Sequence, residues 1–391
     1  MSRRRGGPNV RAYQRERVAA REELERRFGA RLEADPTFER LVTAETSREE
    51  PFHRWHPYRQ AFAPGLVRRF LEEAAPVDGP ILDPFSGSGT TVVECARQGR
   101  SAIGVEAVPV LGRLTLARFV ARAPALPEVA AGSSLQTWFS ASDDPAHRAA
   151  VLLAAGRTVS GAGRPKQAAS PEELVRDVYA LMVEDLQAPL PPLGGVVCGD
   201  ARRLPVADSV LGGLVTSPPY LSRYDYARIN APMERLLRTS ERKDLMKRQL
   251  RAAVGVRDPN LRRRSKAPLP AAAEEAARGL EERGNRADAA VVRNYFIDLR
   301  LMLREAQRTL RPGAPCWVVI GGADLDREYI ASDFILAEDA EAMGFELEAV
   351  TEARRLRWST RRLGLLDDVA PRESVVRLRK RIGPAAVDGE A

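Results

Sequence analysis

Short apolar runs alternate with helically spaced apolar residues along most of the chain from Pro51 onward. Leu66, Val67, Phe70 and Leu71 share one face of a predicted helix, because positions three and four residues apart are neighbours on a helix. Short apolar runs between such helices are typical of buried strands. The alternation of strand and helix predicts a mostly parallel sheet with helices on both of its faces.

Seven strands and several helices are predicted along this pattern. The predicted strands contain IL (81–82), SAIGVEA (101–107), GGVVCGD (194–200), VLGGLV (210–215), APCWVVIGG (314–322), FELEAV (345–350) and ESVVRLRK (373–380). After the first helix, the predicted helices are TTVVECARQG (90–99), Pro171–Leu186 with Ser170 as its cap, Val291–Leu310 and residues 331–342.

Two segments interrupt the alternation. The first, residues 123–193, is rich in Ala, Pro and Ser, and the second, residues 231–290, is polar and basic. Residues 1–50 are predicted to form a charged arm or helix with little core, and residues 382–391 a disordered tail. The remaining segments form the predicted core domain: residues 51–122, 194–230 and 291–381.

Composition places the chain among globular proteins. Of its 391 residues, 44% are hydrophobic and 29% are charged, which is near the average for globular domains. No apolar run approaches the roughly eighteen residues of a membrane span, and no signal-type segment follows the Arg-rich start, so we expect a cytoplasmic protein.

Cys95, Cys198 and Cys316 form no CxxC pair, and His53 and His56 have no acidic or Cys ligand at metal-binding spacing. We therefore expect neither disulfides nor a metal site.

A glycine-rich loop, DPFSGSGTT, places Gly87 and Gly89 between a predicted strand and a predicted helix, where glycine permits close approach of the backbone to a ligand. No Lys follows Gly89, which excludes a P-loop, and Thr91 replaces the third glycine of a dinucleotide motif. Asp83 would repel a pyrophosphate but suits a ligand with an ammonium group. Glu106 ends the next strand, where nucleotide-type sites use an acidic residue to bind ribose hydroxyls. These features favour S-adenosylmethionine; a glycine turn without a ligand is the alternative.

The segment TSPPY follows the apolar strand LGGLV. Two consecutive prolines end that strand and hold Ser217 and Pro218 extended, so that the Ser217 hydroxyl and the Pro218 carbonyl offer two acceptors. Two acceptors suit the exocyclic amino group of a nucleobase, because gripping its hydrogens directs the nitrogen lone pair at an electrophile. Tyr220 can stack on a base that has been flipped out of a duplex. A rigid Pro-Pro loop with a core tyrosine is the alternative.

Sheet topology can bring these two segments together. Parallel strands end at the same edge of a sheet, and ligands bind where the strand order reverses. If the glycine loop follows the first strand and SPPY the fourth, both loops face one crevice. Asp200, at the end of the third strand, would then accept a hydrogen bond from the adenine amino group of the cofactor.

In combination, these motifs resemble the S-adenosylmethionine-dependent DNA amino-methyltransferases, which modify cytosine N4 or adenine N6. The resemblance extends from Phe52 to Lys380 apart from the two interruptions, and HRWHPYRQAFAPGLV, SRYDYARI and RESVVRLRK resemble one branch of this family. It implies an α/β, Rossmann-like class I methyltransferase fold with an antiparallel C-terminal strand and helical insertions. The implied catalytic residues are Ser217, Pro218, Pro219 and Tyr220. The implied cofactor-binding residues are Tyr58, Phe62, Asp83, Pro84, Phe85, Gly87, Ser88, Gly89, Thr90, Thr91, Glu106, Asp200 and Ala201.

The first residue of the SPPY tetrapeptide bears on the target base. Ser at this position resembles the cytosine-N4 enzymes more than the adenine-N6 enzymes, so we expect N4 methylation of cytosine in DNA. Adenine-N6 methylation, methylation of RNA and an inactive DNA-binding regulator are the alternatives. Direct transfer to the amino nitrogen is expected, without a covalent intermediate.

The net charge of +8 is concentrated in one segment. Between Arg235 and Lys266 there are twelve basic and three acidic residues, directly after SPPY. Arg binds phosphates well, so we expect Arg262, Arg263 and Arg264 to contact double-stranded DNA; a solvated helix face is the alternative. The sequence leaves open which insertion reads the target, whether a cognate restriction endonuclease is a partner, and the oligomeric state.

Overall fold

The computed structural model describes residues 19–159, 169–221, 230, 269–326, 328–356 and 371–383. Its strands are β1 (Leu32–Ala34), β2 (Ile81–Asp83), β3 (Ala102–Glu106), β4 (Gly194–Cys198), β5 (Gly213–Thr216), β6 (Pro315–Gly321), β7 (Ala323–Leu325), β8 (Glu328–Ile330), β9 (Phe345–Arg355) and β10 (Arg372–Lys380). Its helices are α1 (Ala19–Phe28), α2 (Pro64–Glu73), α3 (Thr90–Arg97), α4 (Pro109–Leu116), α5 (Leu135–Ser140), α6 (Pro145–Val159), α7 (Pro171–Asp185), α8 (Ala271–Glu282), α9 (Arg286–Thr309) and α10 (Ser332–Ala342).

Eight strands form one sheet in the order β1-β9-β10-β6-β5-β2-β3-β4, and β7 and β8 form a separate antiparallel pair. The strands from β6 to β4 run parallel, whereas β10 is antiparallel to both β6 and β9. The chain moves outward from β2 to β4 and returns on the other side of β2 at β5. The strand order therefore reverses between β2 and β5, and the predicted α/β class with an antiparallel C-terminal strand is confirmed.

Helices cover both faces of this sheet. Successive residues of a strand point to opposite faces, and β6 illustrates the division. Cys316, Val318 and Ile320 pack in one cluster with α9 and α10, whereas Trp317 and Val319 pack in another with α2 and α3. This arrangement buries β6 on both sides, as its continuous apolar sequence predicted.

Several predicted helices begin where a capping residue starts them. The Ser170 hydroxyl accepts a hydrogen bond from the Glu173 amide and completes a capping box at α7, as expected. Helix α9 begins before the predicted position because the Asn285 side chain accepts from the amide of Asp288. None of the helices within the described ranges is long and apolar enough to cross a membrane.

The number of strands and the nature of the N-terminal segment need correction. The sheet has eight strands rather than seven, because β1 pairs in parallel with β9. The predicted arm with little core is wrong for residues 19–50, since Leu24, Phe28 and Phe38 are buried. These side chains are too sparse to form a visible period in the sequence. They fill core space whose other walls come from distant elements.

The first insertion packs against the core domain. Trp138 of α5 is fully buried in a cluster that also contains Trp55 and residues of α4, α6 and α7. Asp185, at the end of α7, accepts hydrogen bonds from the Phe52 amide and from Trp55 Nε1, both at 2.7 Å. The insertion thus supports the segment that leads into the glycine loop.

Some predictions fall outside the described residues. These are residues 1–18 of the predicted arm, the segment SRYDYARI (222–229), the basic segment from Arg235 to Lys266 with Arg262, Arg263 and Arg264, and residues 384–391 of the tail. Within the second insertion, the structure describes α8, which packs along α9.

Candidate active site

A cleft of about 540 Å³, partly open to solvent, lies at the carboxyl ends of β2 and β5. The predicted site residues that line it are Tyr58, Phe62, Asp83, Phe85, Gly87, Ser88, Thr90, Glu106, Ser217 and Pro219. Gln60, Ala61, Ser86 and Leu111 also line the cleft, although the sequence analysis did not select them. The glycine loop and the SPPY segment therefore meet at one cleft, although they lie far apart in the sequence.

The glycine loop needs its glycines for conformation and for space. Gly87 and Gly89 have φ angles of 52° and 88°, in the left-handed region that favours glycine. A Cβ at Gly89 would lie 2.2 Å from Cγ2 of Thr115 on α4. The loop can therefore turn tightly and continue into α3 only because this position has no side chain.

Asp83 joins the glycine loop to the start of the SPPY segment. Its carboxylate accepts hydrogen bonds from Thr216 Oγ1 at 2.6 Å, from Thr91 Oγ1 at 2.7 Å and from the Phe85 amide at 3.1 Å. Burial raises the pKa of Asp83 to about 6, against the opposing effect of these donors. Thr216 immediately precedes Ser217, so this carboxylate sets the distance between the two motifs.

Glu106 lies at the end of β3 with its carboxylate against the loop backbone. It accepts hydrogen bonds from the amides of Gly87 at 2.8 Å and Val108 at 2.7 Å. Burial, with a smaller contribution from nearby Asp83, raises the pKa of Glu106 to about 7 against the opposing effect of these amides. A carboxylate oxygen has more than one acceptor site, so Glu106 can also accept from hydroxyl groups of a ligand in the cleft.

The SPPY residues are divided between the cleft and the sheet. Ser217 and Pro219 line the cleft, whereas Pro218 and Tyr220 are not among its lining residues. The Tyr220 hydroxyl donates to Glu373 Oε1 at 2.6 Å. The structure thus brings the Ser217 side chain to the cofactor loop and holds the tyrosine against β10.

Asp200 and Ala201 are not among the lining residues of the cleft. Both Asp200 oxygens accept from Arg202 Nε, at 2.9 and 3.2 Å, and Arg202 Nη1 also donates to Asp298 at 2.9 Å. Ala201 is buried in the core. Of the predicted cofactor-binding residues in the glycine loop, Pro84, Gly89 and Thr91 are also not among the lining residues.

Arg118 is a supporting residue that the sequence analysis missed. It is 2% exposed, and its guanidinium donates to the carbonyls of Phe52 at 2.9 Å, Ser88 at 2.7 Å, Leu114 at 2.8 Å and His56 at 3.2 Å. Burial lowers the pKa of Arg118 to about 10. The side chain therefore ties the segment at 52–56 to the glycine loop. Nothing in the sequence distinguishes this arginine from the others.

The lining residues fit S-adenosylmethionine. Ser86 Oγ and Gln60 Oε1 are buried in the cleft wall and have no hydrogen-bond partner among the described residues. Buried polar atoms of this kind are usually satisfied by a bound molecule. The two carboxylates suit the positive charges and the ribose hydroxyls of this cofactor, and Tyr58 and Phe62 offer aromatic surface. Over the described part of the chain, no cluster of three or more His, Cys, Asp or Glu residues could hold a metal ion.

Comparison with known proteins points to one family. Residues 13–111 match the model of the N6/N4 DNA methylase family. The Type II methyltransferase M.MjaII of Methanocaldococcus jannaschii is 40% identical over 89 residues, which cover 23% of this chain and 16% of M.MjaII. The Type II methyltransferase M.AvaI of Nostoc is 22% identical over 84% of this chain and 86% of its own length.

A solved structure is similar at low level. The TehB-like SAM-dependent methyltransferase of Corynebacterium glutamicum has a TM-score of 0.31 and 11% identity, over 81% of this chain and 87% of that protein. At these values the fold assignment rests on the strand order described above. The family match and the sequence relatives confirm the predicted resemblance: this chain is similar to the N4/N6 DNA methylases, a family whose cofactor is S-adenosylmethionine.

Proposed function

We propose that this protein transfers a methyl group from S-adenosylmethionine to the exocyclic N4 amino group of cytosine in duplex DNA. The observation that carries the proposal is the hydrogen bond from Thr216 to Asp83, which holds the SPPY segment against the glycine loop. Because of it, Ser217 and Pro219 line the same cleft as Glu106. An amino group held by the SPPY segment would therefore face a cofactor held by the glycine loop.

Each part of the cleft has a role in this proposal. S-adenosylmethionine, when bound, supplies an electrophilic methyl group. Glu106 accepts from the ribose hydroxyls, and Asp200 and Ala201 stay our proposed contacts to the adenine. Ser217 Oγ and the Pro218 carbonyl accept the two amino hydrogens of the target base. The new N–C bond would form as the bond between the methyl carbon and the sulfonium sulfur breaks, with the electron pair left on sulfur as a neutral thioether. The amino nitrogen then carries the positive charge and releases one proton to Ser217 or to water.

Holding the two reactants in line accounts for most of the expected rate. Positioning converts an encounter between two molecules into a reaction within one complex, and no covalent intermediate is required. Tyr220 is proposed to stack on the target base after the base has left the duplex. Arg262, Arg263 and Arg264 are proposed to bind the flanking phosphates.

The target base is the finer part of the proposal. Ser217 as the first residue of the tetrapeptide favours cytosine N4, while adenine N6 is the second candidate because the matched family includes both activities. Duplex DNA should be methylated in vitro, digested to nucleosides and weighed. We expect N4-methylcytosine; 6-methyladenine alone would replace the first candidate by the second. An equal or better yield on structured RNA would make RNA the substrate.

The variant Ser217→Ala tests the catalytic assignment. Removal of one acceptor that acts on the reacting amino group should lower kcat by about a hundredfold or more. Binding of DNA should be retained, because the hydroxyl is a small part of the contact surface. Ser101→Ala, at an exposed serine before β3, is the matched control. Full methylation by Ser217→Ala would show that the assignment of Ser217 is wrong.

A further inference from the structure

The tyrosine of the SPPY segment is bound through its hydroxyl to β10, an interior strand two places from β5 in the sheet. Tyr220 Oη donates to Glu373 Oε1 at 2.6 Å, and Glu373 belongs to β10, more than 150 residues later in the chain. Glu373 is 3% exposed. A buried carboxylate that accepts a phenolic hydrogen is a strong and directional partner, because hydrogen bonds to charged groups are the stronger ones.

The same ladder position also makes room for the ring. Glu373 is paired with Gly321 of β6 across the antiparallel ladder. A Cβ at Gly321 would lie 2.7 Å from Tyr220 Cδ2 and 2.8 Å from Cε2. One cross-strand pair therefore holds the tyrosine in two ways. Gly321 leaves space for the ring because it has no side chain, and Glu373 accepts the hydrogen bond from the hydroxyl.

Arg354 in turn holds the Glu373 carboxylate in place. Arg354 pairs with Glu373 in the register between β9 and β10, and its Nε donates to Glu373 Oε2. Each oxygen of the carboxylate thus has its own donor, one from β9 and one from the SPPY segment. Two donors on separate oxygens restrict rotation of the Glu373 side chain and hence of the tyrosine bound to it.

We infer that Glu373 is a positioning residue for Tyr220: it fixes the ring, by the phenolic hydroxyl, in the orientation needed to receive the target base. This inference rests on the proposed function, because it concerns how that site handles its DNA substrate. Neither Glu373 nor Arg354 lines the cofactor cleft. Their loss should therefore affect the use of DNA and spare the binding of S-adenosylmethionine.

Three variants separate positioning from a general structural role. Tyr220→Phe removes the donor and keeps the ring, Glu373→Met removes the acceptor and keeps the length, and Glu373→Gln keeps one acceptor oxygen. The control is Glu348→Gln, which breaks an exposed ion pair with Arg379 on the same two strands. The measurements are kcat and KM on unmethylated plasmid DNA, together with the Kd of S-adenosylmethionine by calorimetry.

We expect Tyr220→Phe and Glu373→Met each to lower kcat/KM for DNA by about tenfold, the value of one charge-assisted hydrogen bond. The double variant should lose no more than either single variant, because all three lack the same bond. Glu373→Gln should recover part of the loss, and the Kd of S-adenosylmethionine should change by less than about twofold.

Other outcomes would overturn the inference. Additive losses in the double variant, or full activity of Glu373→Met beside an impaired Tyr220→Phe, would mean that the tyrosine acts without Glu373. A large rise in the Kd of S-adenosylmethionine would assign Glu373 a structural role instead. If the unmodified protein methylates no base in the plasmid, the proposed function fails and the inference fails with it. If the unmodified protein methylates the plasmid and Glu373→Met has the same kcat/KM for DNA, only the inference is wrong.

Discussion

The two sides of the cleft are held in different ways. On the cofactor side, the segment at 52–62 and the glycine loop are joined by the buried guanidinium of Arg118 and supported by Asp185 of the first insertion. On the other side, which we propose binds the target, hydrogen bonds from Thr216 to Asp83 and from Tyr220 to Glu373 join the end of β5 and the SPPY segment to the glycine loop and to β10.

This difference predicts which measurements each side controls. A side that is tied together by many buried contacts has its geometry built into the folded state, so damage there should reduce stability and cofactor affinity together. The SPPY segment is a loop after β5, and the loss of one hydrogen bond from a loop can displace it without unfolding the protein. Damage there should appear in the rate of methylation of DNA.

The largest effect is expected for Arg118→Met. Four carbonyl contacts are lost, and buried acceptors without partners are costly, so we expect the free energy of unfolding to fall by about 4 kcal/mol. Binding of S-adenosylmethionine should weaken as well, because Ser88 lies in the cofactor loop. Urea unfolding and calorimetry measure the two effects.

Arg113→Met is the matched control, since Arg113 is an exposed arginine on α4, the helix that directly precedes the 3-10 turn Ala117–Phe119 containing Arg118. It should change the free energy of unfolding by less than about 0.5 kcal/mol. If Arg118→Met were as stable as this control, the guanidinium would not be what holds the cofactor side together.

A matched pair of threonine variants tests the link between the two sides. Thr91→Val and Thr216→Val each remove one hydroxyl that donates to Asp83, at nearly constant volume. Each should lower the free energy of unfolding by about 2 kcal/mol. Thr91→Val should mainly raise the Kd of S-adenosylmethionine, whereas Thr216→Val should mainly lower kcat. If the two variants changed the Kd of S-adenosylmethionine equally and also changed kcat equally, the division into two sides would be contradicted.

A smaller effect is expected from pH. Burial raises the pKa of Glu106 to about 7, so most of the protein carries a neutral Glu106 at pH 6. A cationic, hydroxyl-bearing ligand favours the ionised form, which lowers this pKa in the complex and releases a proton. Affinity for S-adenosylmethionine should therefore rise by about tenfold from pH 6 to pH 8.

Calorimetry in two buffers of different ionisation enthalpy measures this proton release directly. Glu106→Gln cannot ionise, so its affinity should be lower and its remaining dependence on pH should be shallow. An affinity of the unmodified protein that stays constant or falls with rising pH would show that Glu106 does not bind in its ionised form.

Much of the fold follows from local pattern. The strands at 81–83 and 102–106 and the helix at 90–97 agree with their predicted positions, because buried strands and capped helices have short-range signatures. Strand β1 does not, since three residues paired to a strand more than 300 positions away leave no local signal. The antiparallel pair β7–β8 was not predicted either, because each of its strands has only three residues.

The site divides in the same way. The sequence by itself determined which residue types can do the chemistry, because a glycine loop between strand and helix and a Ser-Pro-Pro-Tyr segment have few other uses in combination. It also determined, through the order of strands, that the two motifs meet.

Only the tertiary structure decided what supports these motifs. The hydrogen bonds from Arg118 to Ser88, from Thr216 to Asp83 and from Tyr220 to Glu373 join residues that lie 30, 133 and 153 positions apart in the chain. Whether a buried charge finds carbonyls, hydroxyls or another charge depends on what the packed chain brings within about 3 Å of it. No periodicity or spacing along the chain encodes that distance.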